Sequence, residues 1–391
     1  MILTFRNCNK GGVQTLKIAM IGQKGIPASS GGVEKHVEEM AIRLVKQGHE
    51  VTIYCRNTYS QKKLRMYNGV NLIIIKTINS KSLDAIIYTF KATIHALFLG
   101  FDVYHYHALG PASLCFIPKI FGKKVIVTVH GLDWQREKWG VFGTTYLKFG
   151  EFITGHFADK IISVSKQLKT YFIDKYQRNE ANVIYIPNGV TIENGIEPNE
   201  IKELGLNKNE YILYLARLVP EKGAHYLIEA YNKLYTDKKL VIAGGSSFSD
   251  EYVEKLNKQA SANDKIIFTG NVSGNLLIEL YCNCFLYVLP SDIEGMPLTL
   301  LEALSFGKQV LVSNIQENLQ VIENIDNCYY FIKSDVYDLY NKMNFIISQG
   351  KSYNLEATIK IIEQQYSWEN AVFEYSKQLQ ILRSEDNTIS Q

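Results

Sequence analysis

Short apolar runs alternate with amphipathic stretches along nearly the whole chain, the pattern of repeated strand–helix–strand units around parallel sheets. Lys17–Gly22 reads as the first strand, followed by a glycine-rich loop and a helix over Val33–Gln47 that stops at Gly48. Val51–Cys55 and Leu72–Lys76 read as strands, and a helix over about Asp84–Leu99 leads to a strand at Val103–His107. Lys123–His130, Lys160–Val164 and Val183–Ile186 complete this half, which closes on the turn signal P-N-G. A polar, irregular stretch, Thr191–Asn209, then precedes a second series. Its strands are expected at Tyr211–Ala216, Lys239–Ala243, Lys265–Thr269, Phe285–Leu289 and Gln309–Ser313. The last segment, about Ser367–Arg383, reads as a lone helix with no strand after it.

At 391 residues the chain is long enough for two domains of the usual ~100–200 residues. The fold class expected is α/β, with two doubly wound, Rossmann-like lobes facing a cleft. Residues 1–16 are expected to form a loose extension and 17–187 the first lobe. Residues 188–366 are assigned to the second lobe, and 367–391 to a terminal helix. The composition, 46% hydrophobic and 21% charged, is that of a soluble globular protein. A net charge of +3 is too small to argue for a nucleic-acid partner.

Positive charge is nevertheless uneven. Lys62, Lys63 and Arg65 cluster, as do Lys123 and Lys124. Lys166, Lys169, Lys175 and Arg178 are interleaved with Tyr171, Phe172 and Tyr176. The last group reads either as a contact for an anionic membrane surface or, the commoner case, as a solvated helix face. The six cysteines are scattered, with no C-x-x-C and no paired Cys/His spacing, which fits a reduced cytosolic compartment. The N-terminus lacks a long apolar core of the secretory type, and no apolar stretch approaches the ~20 residues of a membrane span.

The segment P-S-D-I-E-G-M-P-L-T-L-L-E-A says most about chemistry. Pro290 and Gly295 punctuate a loop after a strand, and Leu298, Leu301, Glu302 and Ser305 follow at helical spacing. In an open α/β sheet, ligands bind beyond the carboxyl ends of the strands. A carboxylate there, Glu294, can accept sugar hydroxyls beside the free N–H groups of a starting helix; its bland reading is a solvated loop residue. Y-L-A-R-L-V-P-E-K-G places Arg217 and Lys222 at another strand end, suited to a diphosphate whose charge grows as a glycosidic bond breaks.

The first loop, G-Q-K-G-I-P-A-S-S-G-G-V-E, is not G-x-G-x-x-G, so a dehydrogenase reading loses its main support. Gly31 and Gly32, just before a helix, still permit close approach to an anion. His130 closes a strand in V-H-G-L-D-W-Q-R-E-K-W-G, and His105 and His107 share a face of its neighbour. Two histidines at that spacing suggest a metal, but no third ligand is visible along the chain, and polar lining of a cleft fits better. Asn188 sits in the P-N-G turn with a ligand contact as its minority reading. Gly244 and Gly245 mark another close-approach turn.

With these pieces in order, the chain resembles retaining glycosyltransferases of the GT-B fold, from about Lys17 to Trp368. The most specific element is the glutamate-x7-glutamate motif, Glu294 and Glu302; A-R-L-V-P-E-K-G, I-P-N-G-V and S-W-E match further family stretches. I-G-Q-K-G-I-P-A-S-S-G-G-V-E, H-A-L-G-P and H-G-L-D-W-Q-R-E-K-W-G are similar to a rhamnosyltransferase-like subgroup. Gln309 and Gln320 depart from the family pattern, where proline and glutamate are usual.

The resemblance implies that Arg217 and Lys222 hold a donor diphosphate, with Gly31 and Gly32 nearby. Glu294 would touch the sugar hydroxyls, Glu302 the ribose, and His130 the reacting face of the sugar. Asn188, Gly244, Gly295, Met296, Pro297 and Leu298 fall among the donor-contacting positions. It also implies a nucleotide-diphosphate sugar as donor substrate, a saccharide or lipid-linked acceptor in surface polysaccharide or glycolipid synthesis, and no metal or other cofactor. The expected place is the cytoplasm, including the inner face of the membrane. A nucleotide-sugar 2-epimerase and a non-catalytic nucleotide-sugar-binding module remain the alternatives.

Overall fold

The computed structural model describes residues 15–29, 31–59, 64–78, 83–136, 139–193, 195–247, 249–350 and 355–389. Most of the expected N-terminal extension, together with Cys8, Lys62 and Lys63, lies outside these residues. The chain builds two sheets. The first comprises β1 (Lys17–Ile21), β2 (Glu50–Arg56), β3 (Met66–Tyr67), β4 (Val70–Ile75), β5 (Val103–His107), β6 (Lys124–Val129), β7 (Lys160–Ser163) and β8 (Val183–Tyr185). Their spatial order is β3-β4-β2-β1-β5-β6-β7-β8. The second comprises β9 (Tyr211–Leu215), β10 (Lys239–Ala243), β11 (Ile266–Gly270), β12 (Leu286–Leu289), β13 (Val310–Ser313) and β14 (Cys328–Phe331), in the order β11-β10-β9-β12-β13-β14.

The central strands are almost continuously apolar because helices cover both faces of a parallel sheet. Ile18–Ile21, Val51, Ile53–Cys55 and Val125–Val127 are fully or nearly fully buried, and so are Tyr211–Tyr214 and Leu286–Leu289. Pairing is parallel except for β3 with β4, a hairpin turning at Asn68–Gly69, where both residues have positive φ. Two strands escape the sequence pattern. β3 is only two residues long, and β14 is a half-exposed edge strand whose alternation is weak.

Strand order reverses between β1 and β5 in the first lobe and between β9 and β12 in the second. Loops diverge at such a switch point and leave a crevice at the strands' carboxyl ends. Gly223 keeps the second crevice narrow. It has φ +69°, and a Cβ there would lie 2.0 Å from the Pro290 carbonyl oxygen, so only glycine lets the loop after β9 lie against the loop after β12.

The terminal helix, Trp368–Ile389, crosses back and packs on the helix Gly32–Lys46. Trp368, Ala371, Val372, Tyr375, Leu379 and Leu382 enter the same buried cluster as Val37, Met40, Ala41 and Leu44. Burying side chains of this size is worth roughly 1.5–3 kcal/mol each, which explains why a helix outside both strand series stays docked.

Direct contacts tie the lobes together. The His130 carbonyl oxygen would lie 1.7 Å from a Cβ on Gly295, so the two backbones touch. Asn188 bonds the ring of His36 at 2.9 Å, and its amide donates to the Met296 carbonyl at 3.4 Å. Gln320 donates to the Tyr185 hydroxyl at 2.7 Å and accepts from the Lys166 backbone N–H at 3.0 Å. A neutral amide does both jobs without bringing a charge to the seam. Behind Gly295, the rings of His36 and His130 meet at 4.8 Å and those of His105 and His107 at 4.0 Å; Tyr375 bonds His105 at 3.0 Å.

Two expectations follow from this seam. Gly295→Ala should wedge the lobes apart, increasing the radius of gyration in small-angle scattering; an unchanged radius would show that the contact does not set the lobe spacing. Burial lowers the His36 pKa from its ordinary 6.5 to about 4. The unfolded chain therefore takes up the proton first, and stability falls as pH drops below about 6.5. His36 alone accounts for roughly 3 kcal/mol lost by about pH 4. Urea melts should show this slope, and His36→Gln should make it shallower, the buried His105, His107 and His130 keeping their share; an equal slope in the variant would contradict the assignment.

Candidate active site

The loop after β9 carries Arg217, Glu221 and Lys222, and the loop after β12 carries Ile293, Glu294 and Gly295. Across from them, the segment after β6 brings Gly131, Leu132 and Arg136. These nine residues line one pocket between the lobes. Each reaches it for a local reason. Arg217 follows β9, whose first four residues are buried. Lys222 ends the single turn Pro220–Lys222, held by the αL residue Gly223. The β12 loop is tied to that turn by the Asp292 N–H donating to the Glu221 carbonyl at 2.9 Å.

Lys222 forms an ion pair with Glu294, both side chains being largely buried, and Ser291 donates to the same carboxylate at 2.8 Å. Burial lowers the Lys222 pKa; Arg217 and Arg136 push the same way, while Glu294 resists. Burial likewise lowers that of Arg217, assisted by Arg136 and opposed by Glu221, Glu294 and Asp133. Three cations thus crowd one partly desolvated crevice, offset in part by Glu294, which pairs with Lys222, by Glu221, and by Asp133, which pairs with Arg136. Such like-charge crowding opposes folding and is relieved by an anion.

Glu302 lies one helix turn beyond the pocket, on the helix Leu298–Ser305. Burial raises its pKa, although the Tyr281 hydroxyl donates to it at 2.8 Å. Lys35, on the helix Gly32–Lys46 of the opposite lobe, also acts on it electrostatically. Gly31 precedes that helix with φ +100°, and Leu298 lies 3.3 Å from where a Gly32 Cβ would be. The glycine-rich loop and the start of the Glu302 helix therefore face each other. Met296 and Pro297 are buried at that helix start. Gly244 lies at the carboxyl end of β10, pressed on the Ala216 carbonyl, where a Cβ would come within 1.9 Å.

His130 stands directly behind the pocket, its carbonyl on Gly295. Burial holds its pKa well below 6.5, with His36, His105 and Arg136 adding to the effect, so its ring is neutral. His107 Nδ1 lies 3.3 Å from His130 Nε2. His36, His107 and His130 each bring a ring nitrogen within 4.8 Å of the others. Among the described residues this is the one group with the spacing of a metal site; it contains His107 but not His105, whose ring bonds Thr128 and Tyr375 instead.

Arg217, Lys222, Glu294 and Gly295 are thus brought together as the sequence predicts. Asn188 is nearly fully buried and bonded to His36 and Met296, which makes it a strut between the lobes. Arg136 was missed. Its only chain signal is its place in D-W-Q-R, where it pairs with Asp133 at 3.1 Å. Glu221 was missed too, although it adjoins Lys222. The basic group around Lys166–Arg178 proves largely engaged within the fold. Lys175, Tyr171 and Tyr176 bond the buried Glu151, Lys169 pairs with Glu180, and Arg178 caps backbone carbonyls.

Residues 196–364 match the family model for glycosyl transferases group 1, and residues 30–194 match that for glycosyltransferase family 4. An uncharacterized glycosyltransferase of Methanocaldococcus jannaschii is 26% identical over 381 residues, covering 91% of this chain and 95% of that protein. The Escherichia coli UDP-Gal:alpha-D-GlcNAc-diphosphoundecaprenol alpha-1,3-galactosyltransferase is 28% identical over 57% of this chain and 60% of its own length. Among solved structures, HepE of Anabaena in complex with UDP and glucose superposes with a TM-score of 0.78 at 20% identity, covering 93% of this chain and 99% of that one. A sucrose-phosphate synthase of Thermosynechococcus elongatus reaches 0.82 at 20% identity, covering 95% and 100%. With its two lobes, its switch-point crevice and a family match in each half, this chain is a glycosyltransferase built on the GT-B fold, its second lobe matching glycosyl transferases group 1 and its first glycosyltransferase family 4.

Proposed function

We propose that the protein transfers a hexose or deoxyhexose from a nucleotide-diphosphate sugar to a saccharide or lipid-linked acceptor, with retention at the anomeric carbon, in surface polysaccharide or glycolipid synthesis. One observation carries this: Arg136, Arg217 and Lys222 converge with Glu294 in a single crevice at a topological switch point. A diphosphate relieves the mutual repulsion of those cations. Its negative charge grows as the glycosidic bond breaks, so cations already in place favour the transition state over the ground state. UDP in the Anabaena structure and the transferase names of the relatives support this reading over an epimerase or a silent binding module.

In this reading Arg217 and Lys222 hold the diphosphate beside Gly31, Gly32 and Gly244. Glu294 orients the sugar hydroxyls, with the Gly295–Leu298 loop around them. Glu302 meets the ribose, and neutral His130 lies by the reacting face. The donor must share Lys222 with Glu294, which couples sugar recognition to diphosphate recognition. The bond from the anomeric carbon to the phosphate oxygen breaks while the acceptor oxygen bonds that carbon on the same face. The acceptor's proton passes to the departing phosphate. Drawing the lobes together excludes water and strengthens the charge contacts.

Removing one preorganised charge from such a site costs about 100- to 1,000-fold in kcat. Lys222→Ala and Glu294→Gln should each lower the rate of sugar transfer in product assays by at least about 100-fold. Rates within a few-fold of the parent would overturn the site assignment. Transfer should also survive EDTA, because the three cations supply the electrostatics; loss of activity restored by a divalent ion would reject metal-independent transfer and direct attention to the histidine triad.

A further inference from the structure

The helix Val141–Phe157 should hide an apolar stripe, yet it displays one. Its outward positions Val141, Phe142, Thr145, Lys148, Phe149, Phe152 and His156 follow helical spacing, and its one acid, Glu151, is turned inward. Glu151 accepts from Trp134 at 2.6 Å and from Tyr171, Tyr176 and Lys175. The neighbouring helix Phe116–Ile120 touches this helix through the rings of Phe116 and Phe157 and adds Ile120 and the following Phe121. The end of Leu83–Leu99, which packs on that short helix, adds Phe98. Phe98, Ile120, Phe121, Val141 and Phe142 are 65–87% exposed.

Soluble monomers rarely show contiguous apolar patches above roughly a few hundred Å². Among the described residues, Lys123 follows Phe121 and Lys148 lies on the exposed side of the helix, while Asp159 is paired with Lys119 at 2.8 Å. Large exposed apolar side chains with lysines beside them fit an anionic bilayer, with rings at the headgroup level and cations at the phosphates. The helix that carries this face is also tied to the pocket-lining segment. Helix Val141–Phe157 begins five residues after Arg136, and Trp134, in the pocket-lining segment, is anchored to it through Glu151.

We infer that this face of the first lobe, formed by Phe98, Ile120, Phe121, Val141, Phe142 and Phe149, docks on an anionic phospholipid bilayer and so presents the Arg136 side of the pocket to an acceptor held in that membrane. The inference deepens the proposed function and rests on its lipid-linked acceptor. It also moves membrane contact away from the Lys166–Arg178 segment, whose cations serve the fold.

The test is vesicle flotation of the full chain with phosphatidylcholine alone and with about one third phosphatidylglycerol. The parent protein should float with the anionic vesicles. Phe121→Ser combined with Phe142→Ser should weaken partitioning at least about tenfold. Lys166→Glu combined with Lys169→Glu should change it less than about twofold. Nucleoside diphosphate binding by thermal shift should be equal in all three, which shows that the variants fold. A parent protein that does not float, or a serine variant that floats equally well, overturns the proposal. So does a dimer in sedimentation equilibrium that the serine variant abolishes without any vesicle binding, since the face would then serve a second copy. Vesicle binding together with transfer to free saccharides only would uphold the docking face and reject the lipid-linked acceptor.

Discussion

Like charges brought together out of water are the constraint on which the rest of this structure depends. Arg136 comes from one lobe and Arg217 and Lys222 from the other, and burial and mutual repulsion lower the pKa of both Arg217 and Lys222. A fold does not gather cations this way without cost. Here the cost is tolerated because two rigid sheets place each cation on a short loop at a strand end, and because Glu294 offsets part of the repulsion through Lys222. Glu221 and Asp133 offset a further part, Asp133 through its pair with Arg136.

The seam around the crevice answers a different need. The close approach of Gly295 to the His130 carbonyl lets the lobes touch within a few ångströms of the cations, and the Asn188 and Gln320 bonds hold the seam in register without adding charge. Neutral imidazoles suit the same place, since protonated rings beside Arg136 would add to the repulsion. The terminal helix completes the arrangement by binding the far end of the chain to the first lobe.

Much of this was legible in the sequence. Continuous apolar runs marked the central strands, and the Arg217, Lys222 and Glu294 loops were visible because each lies a few residues beyond such a run. Features set by tertiary contact were not. Arg136 becomes a pocket residue only through the lobe opposite. His36 joins His107 and His130 only after β1 and β5 pair. The Lys166–Arg178 segment looks like a free basic face until Glu151, on another helix, takes up Lys175. Gln320 looked like a defect in a pattern, but its amide satisfies two partners across the seam.

The central claim, that the crevice is built for a diphosphate, is tested most directly by calorimetric titration with nucleoside diphosphates and their parent nucleosides. The account predicts that the diphosphate binds at least about 100-fold more tightly, a difference of roughly 2.7 kcal/mol, and that salt weakens it. Equal affinities for the two, insensitive to salt, would contradict it.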